Sequence, residues 1–124
     1  MNSVEFGNRS EAAAAAYLKR KGYAILHTHW RTRRGEIDIV CQKEDVLVFV
    51  EVKSAAYDSV GYLAERINTR KRRRIQLAAL DYVSHNEIPA GGTRFDAVLL
   101  TLTREGEYRI EHIPDAFRNN DPVE

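Results

Sequence analysis

The chain has 124 residues, 44% of them apolar and 30% charged, with a formal net charge of +1. That length suits one domain with a single core, and the composition is that of an ordinary globular protein rather than a disordered one. No apolar run approaches the roughly 20 residues of a membrane-spanning helix, and the N-terminus shows no apolar signal-peptide region. A lone cysteine, Cys41, excludes an internal disulfide and fits a cytoplasmic location.

Ser3 to Lys21 reads as a helix. Gly7 weakens its first turns, and Asn8 or Ser10 can cap a second start. Five alanines from Ala12 to Ala16 favour helix and close packing. Gly22 suits the left-handed position after the last turn. Glu11 fits either the positive end of the dipole or a metal. Tyr23 to Trp30 is predicted as the first strand, with His27 and His29 on one face, a weak zinc signal without a third ligand. The basic turn at Arg31, Arg33 and Arg34 is either solvated or placed to hold phosphate.

The second strand is predicted from about Glu36 to Gln42 and the third from about Val46 to Lys53, joined by a hairpin at Glu44-Asp45. Period-two alternation places Glu36, Asp38 and Val40 opposite Ile37 and Ile39. It likewise places Phe49, Glu51 and Lys53 opposite Val48, Val50 and Val52. Charged groups in strands this apolar are costly unless paired or bound to metal. An Asp followed by Glu-x-Lys on the neighbouring strand is a minimal kit for metal-dependent phosphodiester cleavage. A buried Glu51–Lys53 ion pair with Asp38 at a strand edge is the structural alternative. Cys41 continues an apolar strand and reads as core.

Ser54 to Leu63 shows no period and reads as a loop. A helix is predicted from about Ala64 or Asn68 to His85, with Ile75, Ala78, Ala79, Tyr82 and Val83 on its apolar stripe. Six of the nine positions from Arg66 to Arg74 are basic. Cations belong at the other end of a helix dipole, so this violation points to phosphate contact, with a solvated face as the alternative. Arg94 to Leu102 and Tyr108 to Ile113 are the predicted fourth and fifth strands, and Pro114 to Glu124 an acidic tail. Asp96 is a second acid inside a strand, with no Glu-x-Lys beside it. The order α-β-β-β-α-β-β gives an α/β or α+β fold, a mixed sheet covered by helices, in one domain over residues 1–124.

Ser-Glu-x-Ala at Ser10 to Ala13, Gly-Glu-Ile-Asp at Gly35 to Asp38, Val-Phe-Val-Glu-Val-Lys at Val48 to Lys53 and Arg-Phe-Asp-Ala-Val at Arg94 to Val98 together resemble the YraN-like family. That family resembles Holliday-junction resolvases of the PD-(D/E)xK superfamily. The resemblance runs from Glu11 to about Phe117 and implies a restriction-endonuclease-like fold. It implies Asp38 and Glu51 as carboxylates for Mg²⁺ or Mn²⁺, Glu11 as a further ligand, and Lys53 as the catalytic lysine. Arg33, Arg34, Arg70, Lys71, Arg73 and Arg74 are the candidate nucleic-acid contacts. The implied activity is a metal-dependent nuclease acting on DNA, branched or junction DNA included, with a homodimer as one arrangement and no membrane partner. A non-catalytic nucleic-acid-binding or adaptor protein that keeps the fold is the alternative. One departure is Ser54-Ala55-Ala56 after Lys53, where the resemblance leads one to expect a basic residue.

Overall fold

A computed structural model of the chain describes residues 3–56 and 69–117. Its elements follow the expected order: α1 (Ser3–Arg20), β1 (Ala24–Arg31), β2 (Glu36–Lys43), β3 (Val46–Ala56), α2 (Thr69–His85), β4 (Thr93–Leu102) and β5 (Tyr108–Phe117). The five strands form one mixed sheet in the order β1-β2-β3-β4-β5. Only β3 and β4 are parallel; the other neighbours run antiparallel. A parallel pair needs a crossover connection, and α2 lies within it. Among the described residues, no helix is long and apolar enough to cross a membrane.

The two helices divide the core between the two faces of the sheet. Ala14 and Leu18 of α1 pack with Ile39, Cys41, Val48, Val50, Val52, Val98 and Leu100. Ile75, Ala78, Ala79 and Tyr82 of α2 pack with Ile37, Val40, Leu47, Phe49, Phe95 and Phe117. The alternation expected of β3 is therefore what the two faces show. Cys41 is buried, and burial pushes its thiol up to about 12, so it serves as a core residue.

Several boundaries differ from expectation. α1 runs without interruption through Gly7, and Ser10, instead of capping a second start, is buried with its hydroxyl donating to Tyr108 Oη at 3.2 Å. At the other end, Gly22 is left-handed, with Tyr23 N–H donating to Leu18 O and Gly22 N–H to Lys19 O, as the sequence suggests. Ser54 to Ala56 continue β3 in register with β4 rather than starting a loop. Residues 57–68, which hold the rest of that loop and the early helix start, lie outside the described residues. Pro114 to Phe117 belong to β5, not to a tail, because Phe117 is buried and stacks on Phe95 with centroids 4.9 Å apart.

Gly35 ends the turn between β1 and β2. Thr32 holds this turn: its N–H donates to Gly35 O at 2.8 Å, and its hydroxyl oxygen accepts from the N–H groups of Arg34 and Gly35. A Cβ on Gly35 would lie 1.9 Å from the Arg74 carbonyl oxygen, so the turn meets the α2 backbone where no side chain fits. Gly35→Ala should lower stability by about 1–3 kcal/mol, the usual cost of overpacking. Urea unfolding measures this, and an unchanged midpoint would mean that the turn and α2 are not held together here.

Candidate active site

The site begins where β2 and β3 separate. Their ladder runs from Lys43↔Val46 to Ile39↔Val50 and ends there. Beyond that point β3 continues along β4 to Ala56↔Leu102. The carboxylate of Asp38 fills the gap, with Oδ2 accepting from Val52 N–H at 2.8 Å. Strict alternation fails at the same place. Ile37 packs under α2 while Ile39 packs under α1, so the two do not share a face as expected.

Glu51 points from β3 toward α2 and is 2% exposed. Lys71, from the first half of α2, places its Nζ 2.6 Å from Glu51 Oε1; Lys53 Nζ is 3.9 Å from the same atom. That oxygen is buried, with the Lys71 ammonium as its near partner. Asp38 lies close enough to Glu51 for their carboxyl groups to interact directly. Burial first, and the Asp38 charge second, push the Glu51 carboxyl up to about 8, with Lys71 pulling the other way. Burial and the neighbouring Lys71 lower the Lys53 ammonium. Burial also pulls Lys71 down, but its contacts with Glu51 and Lys53 outweigh this and raise it.

Glu11 reaches Asp38 from the other side of the sheet. It shares a cavity of about 250 Å³ with Asn8, Thr28, His29 and Asp38. Its buried Oε2 is 2.5 Å from His29 Nε2. Burial and the Asp38 charge raise the Glu11 carboxyl against the opposing pull of His29. His27 and His29 do not share a face. His27 meets the Tyr82 ring of α2 edge-on at 5.6 Å, whereas His29, with φ +52°, turns to Glu11 of α1. The left-handed backbone at His29 breaks the alternation that had put them together.

Among the described residues, no three His, Cys, Asp or Glu side chains form a group placed to hold a metal ion. The donor set that suits a hard cation is the pair Asp38 and Glu51. Mg²⁺ commonly takes one or two protein carboxylates and completes its shell with water and substrate phosphate. A buried carboxylate oxygen with a cation already 2.6 Å away is compatible with that use.

The expected basic contacts separate into three groups. Lys71 belongs to the carboxylate cluster itself. Arg34 forms a forked ion pair with Asp81 of α2, at 2.6 and 3.3 Å. Arg33, Arg70, Arg73 and Arg74 are exposed and have no ion-pair partner among the described residues. The one acid on α2, Asp81, is thus already engaged, and the first half of that helix presents uncompensated charge.

Asp96 offers a contrast within the same sheet. It is fully buried, accepts a fork from Arg94 at 2.8 and 2.9 Å, contacts His112 Nε2 at 2.7 Å and accepts Asp115 N–H at 3.0 Å. Burial alone would raise its carboxyl, yet these contacts hold it below the usual range. Tyr23 Oη accepts a further hydrogen bond from Arg94. Asp96 is met by a guanidinium fork, an imidazole and a main-chain N–H, whereas Glu51 meets two lysine ammonium groups beside a second carboxyl group and Glu11 a single imidazole. The missed partners, His112 and Tyr23, carried no sequence signal because they lie on different strands or loops.

Residues 10–100 match the family described as "Uncharacterised protein family UPF0102". A "UPF0102 protein" of Anaeromyxobacter dehalogenans is 43% identical over 111 residues, covering 90% of this chain and 82% of that protein. A second, from Clostridium beijerinckii, is 38% identical, with 94% of this chain and 95% of the relative covered. A third, from Clostridioides difficile, is 39% identical and is covered along its full length.

The raised Glu51 carboxyl has a consequence for stability. Between its ordinary value of 4.5 and about 8, the folded protein holds a proton that the unfolded chain has lost. Stability contributed by this group is therefore full below 4.5, falls as pH rises, and is lost above about 8. At about 1.4 kcal/mol per pH unit the total is on the order of a few kcal/mol. Glu51→Gln in EDTA should flatten this fall and be more stable than wild type at high pH. Urea unfolding across the range decides it: parallel wild-type and variant profiles would rule out the buried, raised carboxyl.

Proposed function

The chain belongs to the uncharacterised protein family UPF0102, and from its site we propose a metal-dependent nuclease that hydrolyses phosphodiester bonds in DNA, branched or junction DNA included, on a restriction-endonuclease-like, PD-(D/E)xK type of fold. One observation carries the reading. Asp38, Glu51 and Lys53 meet where the sheet splits, with two carboxyl groups in direct contact around the buried Glu51 Oε1. Two carboxyl groups brought together in a buried place are costly for stability alone, in contrast to Asp96, which a guanidinium fork and a main-chain N–H surround.

Asp38 and Glu51 are the residues that would hold Mg²⁺ or Mn²⁺, with Glu11 on the far side of Asp38. Such an ion, when bound, supplies Lewis-acid stabilisation of the charge that develops on the phosphoryl oxygens. Lys53, close to Glu51 and with a lowered ammonium pKa, orients water or neutralises phosphate. Lys71 balances Glu51 at 2.6 Å and, from the first half of α2, would be placed to meet a substrate phosphate beside the carboxylates. Arg70, Arg73 and Arg74 give the polyanion a sequence-independent grip.

The second reading, a non-catalytic nucleic-acid-binding or adaptor protein, draws on the Lys71–Glu51 contact, which can also be a permanent ion pair. A cleavage screen with Mg²⁺, Mn²⁺ and Ca²⁺ over single-stranded, duplex, flap and four-way DNA separates the two. Asp38→Asn, Glu51→Gln and Lys53→Ala should each lower the rate by at least about 100-fold. No cleavage of any substrate, or equal rates in all variants, would leave only the binding reading. The triple change of Arg70, Arg73 and Arg74 to Gln should flatten the salt slope of DNA binding by about 0.7–0.9 for each phosphate that the helix no longer neutralises. A slope equal to that of wild type would remove the helix from the interface.

Binding of the ion is measurable without substrate. Millimolar Mg²⁺ should raise the melting temperature of wild type by mass action and have much less effect on Asp38→Asn. Asparagine can still accept the Val52 N–H, so this variant should keep its stability in EDTA. A large loss in EDTA would mark Asp38 as a structural partner instead.

A further inference from the structure

A second feature lies along the same flank of α2. Lys71, Arg74, Asp81 and His85 recur at helical spacing, on either side of the buried Ala78, so one flank of the helix leads from the carboxylate cluster toward its C-terminal end. At 1.5 Å per residue that flank is about 20 Å long. Its far half faces the β1–β2 turn across a groove of about 700 Å³, lined by Trp30, Arg33, Arg34, Asp81 and His85 among others. The volume falls within the range of small-ligand pockets.

The groove combines three features that suit a nucleotide. Trp30 supplies an aromatic surface and is held in place by Tyr82, which it meets edge-on at 5.0 Å, so the platform is rigid. Arg33 supplies an exposed cation with no ion-pair partner among the described residues. The Arg34–Asp81 fork forms a wall whose charges are already balanced, and Arg31, also on the groove, is paired with Glu36 at 3.4 Å, which leaves Arg33 as the anion contact. Charge and aromatic surface together match a phosphate linked to a base.

We propose that this groove takes one unpaired nucleotide of a nucleic-acid strand, with its base against Trp30 and its phosphate on Arg33, several nucleotides from the bond at the carboxylate site. The inference rests on the nucleic-acid reading above and adds a requirement for single-stranded character to it. A base inside a duplex has both faces covered by its neighbours and cannot stack on a side chain. The substrate class is then DNA in which a duplex adjoins an unpaired segment.

Trp30 is the only tryptophan of the chain and reports on its own occupancy. The wild-type protein in EDTA is titrated with a short oligothymidylate, an abasic oligomer of equal length and a blunt duplex. Tryptophan emission reports the groove, and anisotropy of end-labelled strands reports binding. Oligothymidylate should quench emission saturably. The abasic strand should bind at least about 5-fold more weakly, the low end of what one stacked base contributes, and should not quench. Arg33→Gln, on an exposed turn, should reduce the salt slope for the single strand by about 0.7, one phosphate contact. Binding without quenching, or equal quenching by the abasic strand or the duplex, would overturn the proposal while leaving the nuclease reading intact. Quenching that persists where Mg²⁺ supports no cleavage removes the nuclease reading and keeps the groove.

Discussion

The hydrogen bond from Val52 N–H to the Asp38 carboxylate is the constraint on which the site depends. β3 needs a partner for its backbone on the side from which β2 departs, since an unpaired buried N–H is costly. Asp38 provides it with a side chain instead of a main-chain carbonyl. The sheet can then open beyond Ile39↔Val50 without an orphaned donor. Opening the sheet is what lets Glu51 and Lys53 face a charged cleft instead of a continuous apolar core. The same carboxylate therefore ends a strand pairing and begins the candidate site.

Like charges are crowded around that opening. Asp38 and Glu51 repel each other, Lys53 and Lys71 compete for one carboxylate oxygen, and Glu11 approaches from the far side of the sheet. Such an arrangement is poor as a stabilising device, because like charges in a low-dielectric setting raise the cost of ionisation. The Asp96 network shows that this chain can satisfy a buried acid fully when stability is the purpose. There, a guanidinium fork, an imidazole and a main-chain N–H meet one carboxylate. The difference between the two acids is the clearest physical reason to read one as structural and the other as poised to meet a cation.

Helix α2 ties the site to its surroundings. Its apolar face closes the core through Ile75, Ala78, Ala79 and Tyr82. Its first half delivers Lys71 to Glu51 and exposes three arginines, and its second half holds Arg34 through Asp81. Gly35 lets the β1–β2 turn lie directly on the helix backbone. Packing, charge and access to the cleft thus change together along one element.

Properties that depend on neighbouring residues were legible in the amino-acid order. The succession of elements, the two faces of β3, the left-handed Gly22 and the core position of Cys41 follow from periodicity and local backbone preference. Asp38, Glu51 and Lys53 stood out because charge is conspicuous in apolar strands. Other features depend on how distant segments meet, and no local pattern encodes that. The irregularity around Asp38 sends Ile37 and Ile39 to opposite cores, and the left-handed His29 parts it from His27. Lys71 comes to Glu51, and Asp81 to Arg34, only once α2 has packed on the sheet. Phe117 turns an apparent tail into the end of β5 because Phe95 offers it a buried surface. Periodicity says which way a side chain points along a regular strand; only the packed sheet and helices decide where the strand stops being regular and what waits on the other side.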